Sequence, residues 1–433
     1  MRILIIGQTS LHWGRMEFGN IGNYYIIEPF VRELHRVFPS AIIKTTLQMS
    51  DDFCNREKIV RLPMELYYSW EDKDYFEKSI YELGIAEIYN KTNELPFSTP
   101  YIEAVLKSDL VIDFSGDIWG DNADFLGKHR FIIGLIKDRV AQLLGKKTAM
   151  LSGSPGPFKD EKTREFAKIV YKNFDIVTNR ENISSELMNE LGFDLKKTYS
   201  LACPAFLFEP KNEVDIAKVF TEYSFLGKKQ TVGFILCGWN LLKGPFDRWP
   251  LDDEELMLYV NQIEQLINTK GVDVFLLSHS NGFELPPNYK LIHGRDFPFA
   301  KQLYEIITKR KKVDLSKIHL QKNVLNTWET KAVIKKFDML ISGRIHGAVA
   351  GMSQFVPTVI IDYGHEPKAH KLRGFAKVVG MEYLVADPSK DFDLQEKINY
   401  CFENLELIRK ELKERIPKVK TLAMKNFDLL KSI

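Results

Sequence analysis

Residues 337–354 read FDMLISGRIHGAVAGMSQ, an apolar run followed by a glycine-containing turn and a stretch of small residues. We interpret this segment as a strand at 339–342, a tight turn and a helix at 348–354. A strand that leads through a short turn into a helix is the repeating unit of a parallel sheet with crossover helices. The segment therefore predicts an α/β fold.

The same alternation of apolar runs and helical periodicity extends along the chain in both directions. In the first half we predict strands at 2–6, 41–44, 110–114, 148–151, 176–178 and 199–202, and helices at 24–37, 131–144, 162–172 and 184–191. In the second half we predict further strands at 231–236, 272–277, 318–320 and 358–361, and helices at 252–268, 299–309 and 328–336. The polar stretch 208–229 separates the two series.

A chain of 433 residues exceeds what one hydrophobic core usually organises. We therefore predict two Rossmann-like, doubly wound parallel-sheet domains that face a cleft, at residues 1–210 and 230–390. Residues 391–433 are charged and periodic, so we expect C-terminal helices there, and whether they pack back on the first domain is left open. Ligands of doubly wound sheets bind at the carboxyl ends of the strands, which is where we expect the chemistry.

The composition excludes several classes of protein. Lys and Arg total 60 against 58 Asp and Glu, which lacks the basic footprint typical of nucleic-acid binding. The four cysteines form neither a CxxC pair nor a Cys/His cluster, so we expect reduced thiols. The opening MRILIIG is too short for the apolar region of a signal peptide, and no run of about 18 apolar residues follows. We expect a soluble cytoplasmic protein without an integral membrane segment, and leave peripheral membrane association open.

Arg344 and His346 lie in the turn between the strand and the helix of the opening segment. A helix N-terminus favours an anion, and a guanidinium can bind a carboxylate or phosphate through two hydrogen bonds. An imidazole can carry a proton near neutral pH. The turn is therefore a candidate anion site with a proton donor. The alternative is that Arg344 pairs with a structural acid and that His346 caps the helix.

Arg180 lies in a second strand-to-helix turn, VTNRENISS at residues 177–185, in which Ser184 is the predicted N-cap. An arginine at this position faces the predicted cleft. The alternative is a surface ion pair that involves Glu181.

Carboxylates follow a third predicted strand, in LVIDFSGDIWGD at residues 110–121. Asp113 or Asp117 could orient sugar hydroxyls or act as a base, whereas Asp121 is more typical of a turn. The loop SGSPGP at 152–157 either lines a phosphate pocket or only turns the chain.

The segment GNIGN at residues 19–23 precedes a predicted helix, so it can present backbone N–H groups to a ligand. It lacks the G-x-G-x-x-G spacing of dinucleotide-binding proteins, and we expect no nicotinamide or flavin. His365 and His370 lie near Glu366, but no H-x3-H or HExxH spacing accompanies them, so we expect loop histidines and no metal site.

Taken together and in order, these segments resemble the polysaccharide pyruvyl transferase family. The matching motifs are G-N-x-G-D at 19–23, an apolar strand before a glycine triplet at 110–119, G-x-S-x-G-P at 152–157, V-x-x-R-E-x-x-S-x-x-L at 177–187, D-P-A at 203–205, a strand-end histidine at His279, S-x-R-x-H-[GA] at 342–347 and a late K-x-x-G at Lys371. They span most of the chain. Each is weak alone, and the ordered set is specific.

The sequence departs from the family pattern at several positions. Asn23 stands where Asp is usual, a single glycine, Gly116, stands where a triplet is typical, and Cys203 replaces the Asp before Pro-Ala. The region 363–370 is longer than usual. These changes fall mainly in the first domain, which is expected to contact the acceptor, so they bear on the acceptor more than on the donor.

The resemblance implies a fold similar to the two-lobed glycosyltransferase-B type, with phosphoenolpyruvate as donor and no cofactor. The acceptor would be a pair of hydroxyls on a saccharide or lipid-linked glycan, and the product a pyruvate ketal in cell-surface polysaccharide. The first domain would bind the acceptor and the second the donor.

The resemblance also implies a role for each motif residue. Catalysis falls to His346, Arg344 and Arg180, because two arginines suit the donor's carboxylate and phosphate and a histidine suits protonation of its methylene carbon. Donor contacts are implied at Ser342, Gly343, Ile345, Gly347, Ser154, His279 and Lys371, and acceptor contacts at Asn20, Asn23, Asp113 and Asp117.

Two other functions remain compatible with the sequence. One is a nucleotide-sugar glycosyltransferase or epimerase, since the same two-lobed fold serves different donors. The other is a relative without catalytic activity that binds a glycan or a partner protein.

Overall fold

Short apolar segments form the strands of two parallel sheets in the computed structural model, which describes residues 1–8, 12–68, 74–210, 216–242, 251–363 and 370–433. The chain divides into two units. The first comprises Met1–Glu17, Ile27–Pro204 and Leu422–Ile433, and the second comprises Phe18–Ile26 and Ala205–Thr421.

The first unit is built on a seven-stranded sheet in which every strand pairing is parallel. Its strands are β1 (Arg2–Ile6), β2 (Ile42–Thr45), β3 (Ile59–Arg61), β4 (Leu110–Asp113), β5 (Lys147–Gly153), β6 (Ile176–Asn179) and β7 (Thr198–Ser200). Its helices are α1 (Ile21–Val37), whose first residues belong to the second unit, α2 (Asp51–Glu57), α3 (Tyr75–Thr92), α4 (Pro100–Leu106), α5 (Arg130–Leu143), α6 (Glu161–Asn173) and α7 (Asn182–Glu190). The strand order is β3-β2-β1-β4-β5-β6-β7, so it reverses between β1 and β4.

The second unit repeats this arrangement on a six-stranded parallel sheet of order β12-β9-β8-β13-β14-β15. Its strands are β8 (Thr231–Ile235), β9 (Asp273–Leu276), the hairpin strands β10 (Asn281–Glu284) and β11 (Lys290–His293), β12 (Ile318–Leu320), β13 (Met339–Ser342), β14 (Thr358–Ile361) and β15 (Val385–Ala386). Its helices are α8 (Ala217–Glu222), α9 (Asp253–Gln265), α10 (Phe297–Arg310), α11 (Thr327–Ile334), α12 (Ile345–Met352), α13 (His370–Val379), α14 (Asp393–Glu403) and α15 (Leu405–Asp428). The order reverses between β8 and β13.

Burial explains why these segments are strands. Every residue of β4, β8, β9, β13 and β14 is buried. Continuous apolar runs of this kind belong to parallel sheets whose two faces are both covered by helices. The predicted fold class, two doubly wound parallel-sheet domains with C-terminal helices, is therefore confirmed.

The end of the chain returns to the first unit. The Asn426 side chain donates a hydrogen bond to the Ala202 carbonyl oxygen at 2.9 Å, and the Phe427 ring packs edge-on against Phe30 at 5.1 Å. The preceding residues of α14 and α15, up to Thr421, belong to the second unit. The predicted division differs from the observed units in two places. It kept 391–433 as one segment, and it placed Phe18–Ile26 in the first domain.

No helix in the described ranges combines the length and apolar character that crossing a bilayer requires. The expected cytoplasmic location stays a prediction.

Candidate functional site

The turn after β13 places Arg344 and His346 at the start of a helix. Arg344 is the N-cap residue of α12, and His346 is the second residue of that helix. The buried Ser342 hydroxyl donates to the Arg344 carbonyl oxygen at 2.8 Å and accepts from the Arg344 N–H at 3.2 Å. Ser342 therefore holds the turn in shape.

The two glycines of the turn are required by close packing. Neither Gly343 nor Gly347 has a positive φ, so the turn needs no left-handed backbone conformation at either position. A Cβ on Gly343 would stand 1.9 Å from the Asn240 side-chain oxygen, and one on Gly347 would stand 2.7 Å from the Ser342 hydroxyl. The Asn240 amide also accepts from the Cys237 N–H and donates to the Ile361 carbonyl, which ties β8 and β14 to the turn.

Arg344 is held on one edge by Asp296, a residue that the sequence reasoning did not select. Its Nε and Nη2 donate to the two Asp296 carboxylate oxygens, and Asp296 is 0% exposed. Burial alone would lower the pKa of Arg344, but the carboxylate outweighs it and raises the pKa above its ordinary value. The pairing with an acid that we named as the alternative is thus present.

The opposite edge of Arg344 remains available. Its side chain is 13% exposed, and within the described ranges Nη1 makes no hydrogen bond or ion pair. A guanidinium held on one edge and accessible on the other can bind an anion with little loss of side-chain entropy. The Asp296 pair therefore orients Arg344 without occupying all of it.

His346 lies against the beginning of α1, more than 300 residues away in the chain. A Cβ on Gly22 would stand 2.6 Å from His346 Nδ1 and 2.7 Å from its Cβ, so the glycine backbone lies directly against the imidazole. The ring also meets Phe375 edge-on at 5.8 Å. Lys371, which is buried, precedes Phe375 by one turn of α13 and therefore lies on the same face of that helix.

The segment that carries Asn20 and Asn23 belongs to the unit of Arg344 and His346. Asn20 pairs with Ser280 in an antiparallel bridge, and its side chain accepts from the Gly22 N–H at 3.1 Å. The Asn23 N–H donates to the Asn20 carbonyl oxygen at 2.9 Å, which closes the first turn of α1. The acceptor role predicted for these asparagines stays a prediction, in a unit other than the one expected.

His279 follows β9 and is 0% exposed. Its ring meets Tyr25 edge-on at 5.5 Å, and neither ring nitrogen has a hydrogen-bond partner in the ranges that the structure describes. Burial lowers the pKa of His279 to about 3, so the imidazole is neutral at neutral pH. A buried, neutral histidine does not supply charge to an anionic donor.

In the first unit, Arg180, Ser154 and Asp117 come together at the carboxyl ends of neighbouring strands. Arg180 follows β6, and its Nε donates to the Ser154 hydroxyl at 2.8 Å. The Asp117 carboxylate lies 4.0 Å from Arg180 Nη2 and is 44% exposed. Both Arg180 and Ser154 are buried. The structure thus gives Ser154 a direct role in orienting Arg180.

The helix after Arg180 begins earlier than predicted. Glu181, and not Ser184, is the N-cap of α7, and its carboxylate accepts from the Ser184 N–H at 3.0 Å. Glu181 is also fully buried, so the alternative of a surface ion pair is wrong.

Asp113 is enclosed at the end of β4. Its two carboxylate oxygens accept from the Ser115 N–H and hydroxyl, both at 2.8 Å, and the residue is buried. The turn passes through Gly116, whose φ of 61° is readily adopted only by glycine. Asp113 therefore shapes the turn that presents Asp117, and Asp117 is the accessible carboxylate of the two.

Metal ligands do not cluster in the described ranges, where no group of three His, Cys, Asp or Glu side chains is placed to hold an ion. His365 and Glu366 lie outside the described residues, so the expectation for that loop stays a prediction. The four cysteines are free thiols, as predicted.

The predicted residues thus form two groups. Arg180, Ser154 and Asp117 meet in the first unit, and the second unit assembles Asn20, Asn23, His279, Ser342, Gly343, Arg344, Ile345, His346, Gly347 and Lys371. Asp296 was missed, although an Asp before Phe-Pro at a helix start is a recognisable N-cap signal. No local sequence signal indicates that Asp296 pairs with Arg344, which lies 48 positions away in the chain.

Comparisons with known proteins support the fold and the family. The solved structure of Anabaena Alr3699/HepE in complex with UDP superposes with a TM-score of 0.58 at 13% identity, covering 100% of both chains. The UDP-GlcNAc 2-epimerase of Neisseria meningitidis, bound to UDP-GlcNAc, gives a TM-score of 0.57 at 11% identity, also over 100% of both chains. At these identities the likeness shows the fold alone, a fold similar to the glycosyltransferase-B type.

Two sequence comparisons are more specific. The amylovoran biosynthesis protein AmsJ of Erwinia amylovora is 22% identical over 451 residues, covering 100% of both chains. The family profile described as polysaccharide pyruvyl transferase matches residues 20–365, a range that runs from the segment against His346 to beyond β14. Because that match covers most of the chain and contains both arginine turns, this protein is a transferase enzyme that belongs to the polysaccharide pyruvyl transferase family.

Proposed function

We propose that this enzyme moves the pyruvyl group of phosphoenolpyruvate onto a pair of saccharide hydroxyls and forms a pyruvate ketal. The observation that carries the proposal is the turn at residues 342–347. It presents an oriented guanidinium edge and an imidazole at the N-terminus of one helix.

The donor's charges fit this turn. Phosphoenolpyruvate carries a carboxylate and a phosphate, and helix N-termini favour anions. Arg344 offers the edge that Asp296 does not occupy, and Lys371 lies on the face of α13 whose Phe375 contacts His346. These groups can neutralise the donor without a metal ion, so we expect no requirement for a divalent cation or a cofactor.

In this mechanism, the imidazole of His346 supplies the proton that the donor receives. Its transfer to the methylene carbon of the donor develops positive charge at the middle carbon, which one acceptor hydroxyl attacks. The hydroxyl proton returns to the imidazole. Phosphate then leaves, and a second hydroxyl closes the ketal as its proton passes to the phosphate. In the first unit, Arg180, held by Ser154, is proposed as a further catalytic cation.

The proposed acceptor is a saccharide of a cell-surface polysaccharide, free or linked to a lipid. The family description and the named role of the Erwinia amylovora relative in amylovoran biosynthesis support this choice. The solved structures with bound UDP share the fold, which makes a nucleotide sugar the ligand to test against.

Thermal-shift measurements with phosphoenolpyruvate and with UDP-sugars test the donor. We expect phosphoenolpyruvate to raise the melting temperature and UDP-sugars to leave it unchanged. Labelled phosphoenolpyruvate should then release phosphate only when a glycan precursor is added. Binding of a UDP-sugar without any response to phosphoenolpyruvate would make the proposal wrong.

The variant His346→Ala tests the mechanism. A general acid typically contributes about 10² to 10⁴ in rate, so turnover should fall by about 100-fold or more at nearly unchanged donor affinity. His293→Ala, which removes a half-buried histidine of β11, controls for the loss of an imidazole in the same unit. If His346 only stabilised its helix, the variant would melt earlier and turn over normally per folded molecule.

A further inference from the structure

Arg130 is a fully buried cation to which the described residues offer no anion. It is the first residue of α5 and is 0% exposed. Its Nε and Nη2 both donate to the Gln8 carbonyl oxygen, at 3.0 and 2.7 Å. Two tyrosine rings lie near the guanidinium, with the Tyr68 centroid 4.8 Å and the Tyr67 centroid 6.0 Å from Cζ. Buried arginines are almost always paired with a carboxylate, so this charge lacks its usual counterpart.

The position of Arg130 at the start of a helix makes its positive charge still less favourable. A helix N-terminus carries partial positive charge, which disfavours a cation in the first turn and favours an anion. Burial lowers the pKa of Arg130 to about 10, which still leaves the guanidinium charged at neutral pH. Among the described residues, no carboxylate thus compensates the positive charge at the start of α5.

Polar atoms without partners surround this charge. In the described ranges, Arg130 Nη1, both side-chain amide atoms of Gln8 and the Tyr67 hydroxyl are buried and make no hydrogen bond. Gln8 Nε2 and the Tyr67 oxygen lie 2.1 and 2.8 Å from the point where a Gly134 Cβ would stand, one turn along α5 from Arg130. Unsatisfied buried polar groups are rare because each loses its hydration without compensation. Three buried donors thus lack acceptors in the described ranges, one of them on the cation itself, and an oxyanion is the group that accepts from such donors.

The cluster also lies where doubly wound sheets bind ligands. Gln8 follows β1, and its N–H donates to the hydroxyl of Ser115, which follows β4, at 3.1 Å. The order of the first sheet reverses between these two strands. Such a switch point opens a crevice at the carboxyl ends of the strands.

We propose that Arg130, Gln8 and Tyr67 bind an oxyanion, a carboxylate or phosphate group carried by the acceptor saccharide. The anion site is inferred from the first unit alone. Its assignment to the acceptor rests on the proposed function. A saccharide that presents this group to Arg130 would be selected over its neutral analogue.

Thermal shift and calorimetry in an Arg344→Gln background test the anion site, because that background weakens anion binding at the donor turn. The probes are inorganic phosphate, glucuronate and, as neutral analogue, glucose. We expect phosphate or glucuronate to raise the melting temperature and glucose to have no effect. A response to phosphate alone or to glucuronate alone identifies which oxyanion the site takes.

Arg130→Met removes the charge and keeps the length of the side chain. It should fold, because it removes a charge whose burial costs free energy and leaves no described carboxylate without its partner, and it should lose the anion response by at least about 10-fold in affinity. Tyr67→Phe should weaken the response without affecting folding. Arg139→Met, on the same helix and hydrogen-bonded to Gln142, is the matched control and should respond normally. The proposed anion site would be wrong if Arg130→Met still responded to the anions, or if neither the Arg344→Gln background nor any of its variants responded.

Turnover in the otherwise unmodified protein separates this inference from the proposed function. Arg130→Met should raise the KM for a charged acceptor by about 10-fold or more and leave the KM for phosphoenolpyruvate unchanged. An unchanged acceptor KM would overturn the acceptor assignment. Absence of phosphoenolpyruvate turnover in the unmodified enzyme would instead contradict the proposed function, while anion binding at Arg130 would stand.

Discussion

Gly22→Ala is expected to disable the enzyme while leaving it folded, because Gly22 lies against the imidazole of His346. The added Cβ would stand 2.6 Å from His346 Nδ1, whereas ordinary van der Waals contact begins at 3.4 Å. The imidazole or the start of α1 must therefore move by about 0.8 Å, since neighbouring atoms in a packed interior leave no free space. Misplacement of a catalytic group by about 1 Å costs up to ~100-fold in rate.

The stability change should be small by comparison. Inserting a methyl group into a packed site costs about 1–3 kcal/mol. Alanine in place of glycine inside a helix returns about 1 kcal/mol. We therefore expect the free energy of unfolding to fall by about 0–2 kcal/mol and turnover to fall by about 10–100-fold.

The assay is phosphate release per folded molecule, with unfolding followed in denaturant. Gly84→Ala is the matched control, since it also lies in a helix but has no atom within 4 Å of its added Cβ. It should stabilise the protein by about 1 kcal/mol and leave turnover unchanged. If Gly22→Ala kept full turnover while His346→Ala lost it, the packing of Gly22 against His346 would not be needed for catalysis.

Four further results are expected. Arg344→Lys should weaken phosphoenolpyruvate binding in calorimetry, since an ammonium cannot hold Asp296 and also present a second edge to the donor. Arg310 forms another bidentate pair, with Glu264, and the control variant Arg310→Lys should leave phosphoenolpyruvate binding unchanged. Asp296→Asn should lower the free energy of unfolding by about 3 kcal/mol and weaken donor binding; normal values of both would contradict the orienting role. Burial raises the pKa of Asp113 to about 7, so the folded protein binds this proton more tightly than the unfolded chain. The contribution of Asp113 to the free energy of unfolding should be fully present below about pH 4 and be lost as the pH rises to 7, and Asp113→Asn should remove that part of the pH dependence in denaturation measurements. Chelators should leave phosphate release unchanged, and restoration of lost activity by one specific metal would contradict this.

Several strands could be predicted to the residue. The expected ranges 2–6, 318–320, 339–342 and 358–361 coincide with β1, β12, β13 and β14. These strands are short apolar runs bounded by polar or turn-forming residues, so local composition marks both of their ends.

Other elements were not predicted because their apolar residues lack a regular period. In α3 the side chains of Ile80, Tyr81 and Ile88 remain exposed while Ile85 is buried, so the helix has apolar residues on several faces. The hairpin of β10 and β11 is partly exposed and pairs antiparallel. Neither gives the alternation from which helices and strands were predicted.

The order of motifs along the chain was enough to indicate the fold class, the family and the turns that carry Arg180, Arg344 and His346. Strand ends, helix starts and glycine turns are local properties that a linear sequence retains. What each side chain contacts is a property of the folded chain. Asp296 against Arg344, Gly22 against His346, and Gln8 against Arg130 join positions 48, 324 and 122 residues apart. Packing and burial bring these groups together, and only the tertiary structure decides which charge is paired and which is oriented.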